Sequence, residues 1–275
     1  MSLAPSRKPP SPEPDYDLDY SVHDFEVSPY RDSGFLTRRI EELMLREALG
    51  EDGVEGGRTL DVACGVGRLV AELRERGGDS WGLEPSPEMA GVSRWLFPAE
   101  RVVLVRGIAE ALPFRDGSFD RVICQGSLDH FVDPHAFMRE AARLLRPDGR
   151  VIIALANYES LSCRLGRLPQ RLAQAILRRQ PPEQRPYWQP PPDHYHKGDL
   201  PFVRGLGGQT LRLERCYGCS LLWLLPGWGR ALELLPNLVA DRLLAALDRV
   251  GHRTPRLADM IVSVWRLEGA DNVER

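Results

Sequence analysis

The stretch Thr59-Leu60-Asp61-Val62-Ala63-Cys64-Gly65-Val66-Gly67-Arg68-Leu69 leaves the backbone few choices. An apolar, β-branched run gives way to two closely spaced glycines and then to a helical pattern, which predicts strand, tight turn and helix. Gly65 and Gly67 lack a Cβ, so the chain there can take positive φ, and a ligand can press against bare amides at the positive end of a helix. Two ligand classes use such a cradle. A dinucleotide fingerprint calls for Gly or Ala at position 70, where this chain has Val70, and that disfavours a wedged pyrophosphate. Asp61 argues in the same direction, because a carboxylate repels phosphate and suits a ligand with a cationic part.

Three further segments follow in order. Ser80-Trp81-Gly82-Leu83-Glu84 reads as the next strand, and Glu84 lies 19 positions after Gly65 (84 − 65). That is close to the roughly 20-residue offset at which an acid binds a ribose diol. Next come Gly107 to Asp120 and then Asp129-His130-Phe131-Val132-Asp133-Pro134, the latter leading into Phe137 to Gly149. Asp133 is placed to cap a helix and Pro134 suits its first position, while Phe137, Ala141, Leu144 and Leu145 form one apolar stripe.

Taken together across residues 59 to 156, these segments resemble the class I S-adenosylmethionine (SAM) methyltransferases. The resemblance implies that the turn, with Asp61, Ala63, Cys64, Gly65 and Gly67, holds the methionine and ribose portions of SAM. It implies that Glu84 grips both ribose hydroxyls, with Pro85 and Met89 beside it. Residues 107 to 120 would cover the adenine, with contacts near Ile108 and Ala109, and Gln125 would close the site from the fourth strand. Two positions depart from the pattern. Ile108 stands where many relatives carry Asp, and Asp148 replaces the first Gly of a Pro-Gly-Gly turn. His130 falls on the loop that faces the transferred methyl in such proteins, which makes it the candidate catalytic base; its rivals are His194, His196 and Tyr20. Pro191 to His196 also resembles the Pro-x-His segment of small-molecule methyltransferases akin to those of ubiquinone synthesis.

The implied architecture is α/β, a doubly wound, seven-stranded Rossmann-like methyltransferase sheet with a helical cap. Strands are expected near 59 to 63, 80 to 84, 102 to 106, 119 to 125 and 150 to 156. A last pair is expected near 210 to 216 and 260 to 267, the final strand antiparallel to the rest. Leu36, Ile40, Leu43 and Met44 define a helix that packs on this sheet. Residues 1–34 read as a proline-rich disordered tail followed by an aromatic segment able to act as a lid, and 35–275 as the methyltransferase domain. Two insertions, 157–197 and 221–250, form the expected cap; the apolar residues of the second suit core and lid packing, or, with Trp223 and Trp228 as walls, an apolar acceptor pocket.

Composition narrows the partners. A net charge of −3 with 27% charged residues offers no basic field for nucleic acid, so a small-molecule substrate is expected. No run of 18 apolar residues exists and no h-region follows Met1, so the expected location is cytoplasmic. The leucine-rich second insertion leaves a peripheral contact with membrane or a lipid-like substrate open. Five scattered cysteines fit a reducing compartment, and no Asp/His cluster shows metal-ligand spacing along the sequence. The expected function is methyl transfer from SAM to a small, apolar or amphipathic metabolite; the alternative is an inactive methyltransferase-like binding or partner subunit.

Overall fold

Strand β1 (Arg58–Val62) is buried along all but its first residue, the pattern of a strand covered on both faces. It sits at the centre of a seven-stranded sheet seen in a computed structural model that describes residues 34–49, 57–98, 100–168 and 186–269. The expected tail and aromatic lid segment lie outside the described residues, as does the middle of the first insertion.

The other strands are β2 (Asp79–Leu83), β3 (Leu104–Val105), β4 (Phe119–Gln125), β5 (Leu145–Ala156), β6 (Leu211–Cys219) and β7 (Met260–Leu267). Their order is β3-β2-β1-β4-β5-β7-β6. The first five run parallel, and β7 runs antiparallel between β5 and β6. The reversal of order between β1 and β4 makes a topological switch point, the place where an open parallel sheet leaves a crevice for ligand. Most strand limits match expectation, with two differences. β3 keeps only two residues, and β5 begins at Leu145 because that residue already pairs with Phe119.

Helices α1 (Gly34–Leu49), α2 (Arg68–Glu75), α3 (Pro87–Leu96) and α4 (Pro134–Leu144) flank the sheet, followed by α5 (161–168), α6 (Leu200–Gly205), α7 (Trp228–Glu233) and α8 (Asn237–Arg253). Alternation along the strands sorts two cores. Val122, Cys124, Val151 and Ile153 face Phe137, Met138, Ala141 and Leu144 of α4. Ile123 and Ile152 face the other way, toward Ile40, Leu43 and Met44 of α1, Leu69 and Leu73 of α2, and Ala240 and Leu244 of α8. Asp133 caps α4 as its position predicts, its carboxylate accepting from the amides of His135 and Ala136. No described helix is long and apolar enough to cross a membrane.

Both insertions leave the sheet at the same edge. β5 ends at Ala156 and β6 at Cys219, and both residues pair with Met260, where β7 begins. The apolar surface of the second insertion is used differently from the expected acceptor wall. Trp223 is only 5% exposed and belongs to the core shared by α1 and α8, with Trp228 packed against it. The two indoles thus form a core layer on one sheet face, the packing reading of this insertion and not the acceptor-wall one.

The two turn glycines answer to different constraints. Both have positive φ, 57° at Gly65 and 79° at Gly67. A Cβ at Gly65 would meet nothing within 4 Å, whereas one at Gly67 would lie 2.6 Å from Val102 Cγ1. Gly67→Ala is therefore expected to cost roughly 2–5 kcal/mol, backbone strain plus overpacking, and Gly65→Ala only about 1–2 kcal/mol. Denaturant titration of the ligand-free protein measures both; equal costs would show that packing at Val102 does not matter.

Candidate functional site

The end of β1 turns through alternating left-handed residues: Ala63 at φ 55°, Gly65 and Gly67. For Ala63 this conformation is strained, and only surrounding contacts keep it. Cys64 N donates to Leu83 O at 3.1 Å and Gly67 N to Cys64 O at 2.9 Å, which folds the turn back toward β2. Gly82 completes the fit, since a Cβ there would stand 2.5 Å from Cys64 Sγ. The result is a turn whose outer side, at Gly65, is open.

Glu84 ends β2 and faces that turn. Its Oε2 accepts from Gly65 N at 2.8 Å and its Oε1 from Ser86 N at 2.9 Å. The side chain is buried, and desolvation raises its pKa against the lowering effect of those two amides. Asp61, fully buried in β1, is pushed up to about 8 by burial and by the nearby Glu84 charge. Two acidic side chains thus share one crevice, and a cation bound there would favour their ionised forms.

The other expected contacts gather around this pair. Ser86 caps α3 by accepting from Met89 N, with Met89 buried beneath, and Pro85 O accepts from Arg106 Nε at 3.2 Å. Ile108 is 36% exposed while Ala109 beside it is buried, so an apolar side chain is presented at the surface of that segment. Glu110 then ties the segment to the loop after β4, its Oε1 accepting from Val132 N at 2.9 Å. Gln125 ends β4, and Ser127 Oγ reaches Ala63 O at 3.4 Å, joining the same loop to the glycine turn.

His130 lies on a 3₁₀ turn, Leu128–His130, in that loop. The fold sets it edge to face with His194, ring centroids 4.3 Å apart. His194 Nδ1 is 2.6 Å from Asp129 Oδ2 and 3.3 Å from the Tyr158 hydroxyl. His196, another rival for the base, stacks on Phe202, and Tyr20 lies outside the described residues. Sequence spacing showed no Asp/His cluster, and the structure corrects this: Asp129, His130 and His194 present ligand atoms within 4.8 Å of one another.

Residues 60–153 match the methyltransferase domain family. That stretch holds the glycine turn, Glu84 and the loop carrying His130. Over 94 residues the domain is 42% identical to an uncharacterized methyltransferase of Mycobacterium tuberculosis, covering 34% of this chain and 37% of that protein. Over 106 residues it is 35% identical to the ubiquinone biosynthesis O-methyltransferase of Xanthomonas oryzae pv. oryzae, covering 37% of this chain and 44% of the relative. The chain therefore spans less than half the length of these curated relatives. A solved geranyl diphosphate methyltransferase, in complex with GPP and sinefungin, shares the fold at TM-score 0.51 and 18% identity, covering 85% of this chain and 79% of that one.

The raised Asp61 carboxyl makes the methyltransferase domain sensitive to pH. Asp61 stays protonated in the fold up to about 8 but ionises near 3.8 when unfolded, so between those values the native state holds a proton that the unfolded state lacks. Stability contributed at this site consequently falls as pH rises from about 4 to 8. Asp61→Asn removes that slope and should stabilise the ligand-free protein more at pH 8 than at pH 5. Guanidinium melts at four pH values test this, and a stability gap independent of pH would refute it.

Proposed function

We propose that the protein is a SAM-dependent methyltransferase acting on a small, apolar or amphipathic metabolite. The observation that carries this reading is the open side of Gly65 beneath the paired carboxylates of Asp61 and Glu84. SAM is cationic at sulfur and at its amino group, and it carries a ribose diol, so the residues present fit it. The named relatives lend support, as does the solved complex with sinefungin, a SAM analogue.

In this reading, Ala63, Cys64, Gly65 and Gly67 receive the methionine and ribose portions, and Asp61, protonated in the free protein up to about pH 8, would ionise near them as the cation binds. Glu84 holds the ribose hydroxyls. Met89 and Pro85 line the ribose side, Ile108 and Ala109 the adenine side, and Gln125 the sheet end. When bound, SAM supplies an activated methyl group on a positively charged sulfur. The chain's task is then to align the acceptor with that methyl and to exclude water, and alignment alone can contribute about 7–11 kcal/mol. In this reading His130, on the loop after β4, would accept the proton that the acceptor gives up.

Two measurements test the reading. Glu84→Ala should weaken SAM binding by about 1.5–3 kcal/mol, the scale of hydrogen bonds to a charged group; an unchanged dissociation constant in a folded variant would sink the assignment. His130→Ala should lower turnover by roughly 10²–10⁴ while SAM affinity holds. A loss under about tenfold with the true acceptor would leave alignment as the whole mechanism. Calorimetry on the wild-type chain separates this reading from the inactive partner subunit only when paired with a turnover assay, because both bind SAM.

A further inference from the structure

We infer that Asp129, His130 and His194 form a binding site for a divalent transition-metal ion. The three residues offer one carboxylate oxygen and two imidazole nitrogens, all within 4.8 Å of one another. Three donors on one tetrahedral ion at about 2.0–2.2 Å lie roughly 3.3–3.6 Å apart, so the cluster can close around an ion by movements of about 1 Å. Two imidazoles and one carboxylate suit Zn²⁺, Fe²⁺, Co²⁺ and Mn²⁺ and leave coordination positions free.

A second observation is independent of that convergence. Asp129 is only 2% exposed, and its Oδ1 has no hydrogen-bond partner among the described residues, although Oδ2 meets His194. A buried carboxylate oxygen left unpaired is costly, and native folds rarely tolerate one without an ion or water to satisfy it. A water could satisfy Oδ1 alone, but it gives no reason for the His130 ring to be set against His194 with all three donors within reach of one ion.

The surroundings are built to hold the donors. Asp129 O accepts from Tyr195 N at 2.8 Å and His196 N at 3.3 Å, which pins the segment carrying His194 to the turn carrying Asp129 and His130. Asp193 Oδ2 lies 3.5 Å from His130 Nδ1, and the Tyr158 hydroxyl lies beside His194. Such outer contacts to ligating histidines fix ring orientation and commonly change metal affinity by 10–100-fold when removed. The site lies on the loop that Ser127 joins to the glycine turn, next to the cofactor crevice. Its free positions would take an oxygen donor of the acceptor, and with an ion bound His130 would act as a ligand and not as the base; that role rests on the proposed function, whereas ion binding itself does not.

The test is Co²⁺ titration of the full chain after chelator treatment, followed by visible absorption and calorimetry. One Co²⁺ per chain is expected, with d–d bands and no thiolate charge-transfer band, and Asp129→Asn and His194→Gln should each weaken binding at least about tenfold. Absence of saturable binding would overturn the inference. So would a thiolate band, which would put the ion on cysteines, or unchanged affinity in both folded variants. If a variant fails to fold by circular dichroism, the wild-type stoichiometry and spectrum still decide. Loss of SAM binding or turnover with Co²⁺ binding intact would count against the proposed function and not against the metal site.

Discussion

The cradle depends on one carboxylate. Glu84 accepts from Gly65 on one side and Ser86 on the other, so the turn after β1 and the turn after β2 are held as a single surface. Those two amides cannot turn to water without opening the crevice, and Glu84 cannot be exchanged for an apolar residue without orphaning both. The left-handed path through Ala63, Gly65 and Gly67 survives because this bridge, with the Cys64 to Leu83 hydrogen bond, holds its position.

That bridge carries a standing electrostatic cost. Asp61 and Glu84 are both buried and both shifted upward, Asp61 by burial and by the Glu84 charge, Glu84 by burial against its two amide donors. Well-packed apolar residues would be cheaper in the free protein, since buried charge without a partner is penalised. A site that keeps two carboxylates in place is preorganised for a ligand with positive charge, and the stability withheld from the empty fold returns as affinity on binding. The same arrangement discriminates against phosphate-bearing dinucleotides by repulsion, which agrees with Val70 in place of a third glycine.

How much of this was legible in the sequence depended on how local each determinant is. The strand, the turn glycines and Glu84 lie within thirty positions of one another, and their order alone marks the cradle. Asp133 and Pro134 announced the start of α4 because capping is a short-range interaction. Ala63 gave no such signal: nothing in an alanine foretells positive φ, and its conformation follows from tertiary contacts. The leucines and tryptophans of the second insertion were equally silent about destination. An amphipathic run fits a cap or a core layer alike, and packing against Ile40, Leu43 and Met44 of α1 decided for the core.

The meeting of Asp129 with His194 is the extreme case. No spacing rule links them, because the partner arrives through an insertion that leaves the sheet after β5 and returns past Tyr158. What brings them together is topology: β4 and β5 are parallel neighbours, so the loop after one and the insertion after the other emerge at the same edge. In the proposed reading, the cofactor half of the site is thus written in contiguous turns around β1 and β2. The proposed acceptor half would be assembled from chain segments far apart in sequence, so that insertions at that edge could change acceptor chemistry while the glycine turn and its carboxylates stay fixed.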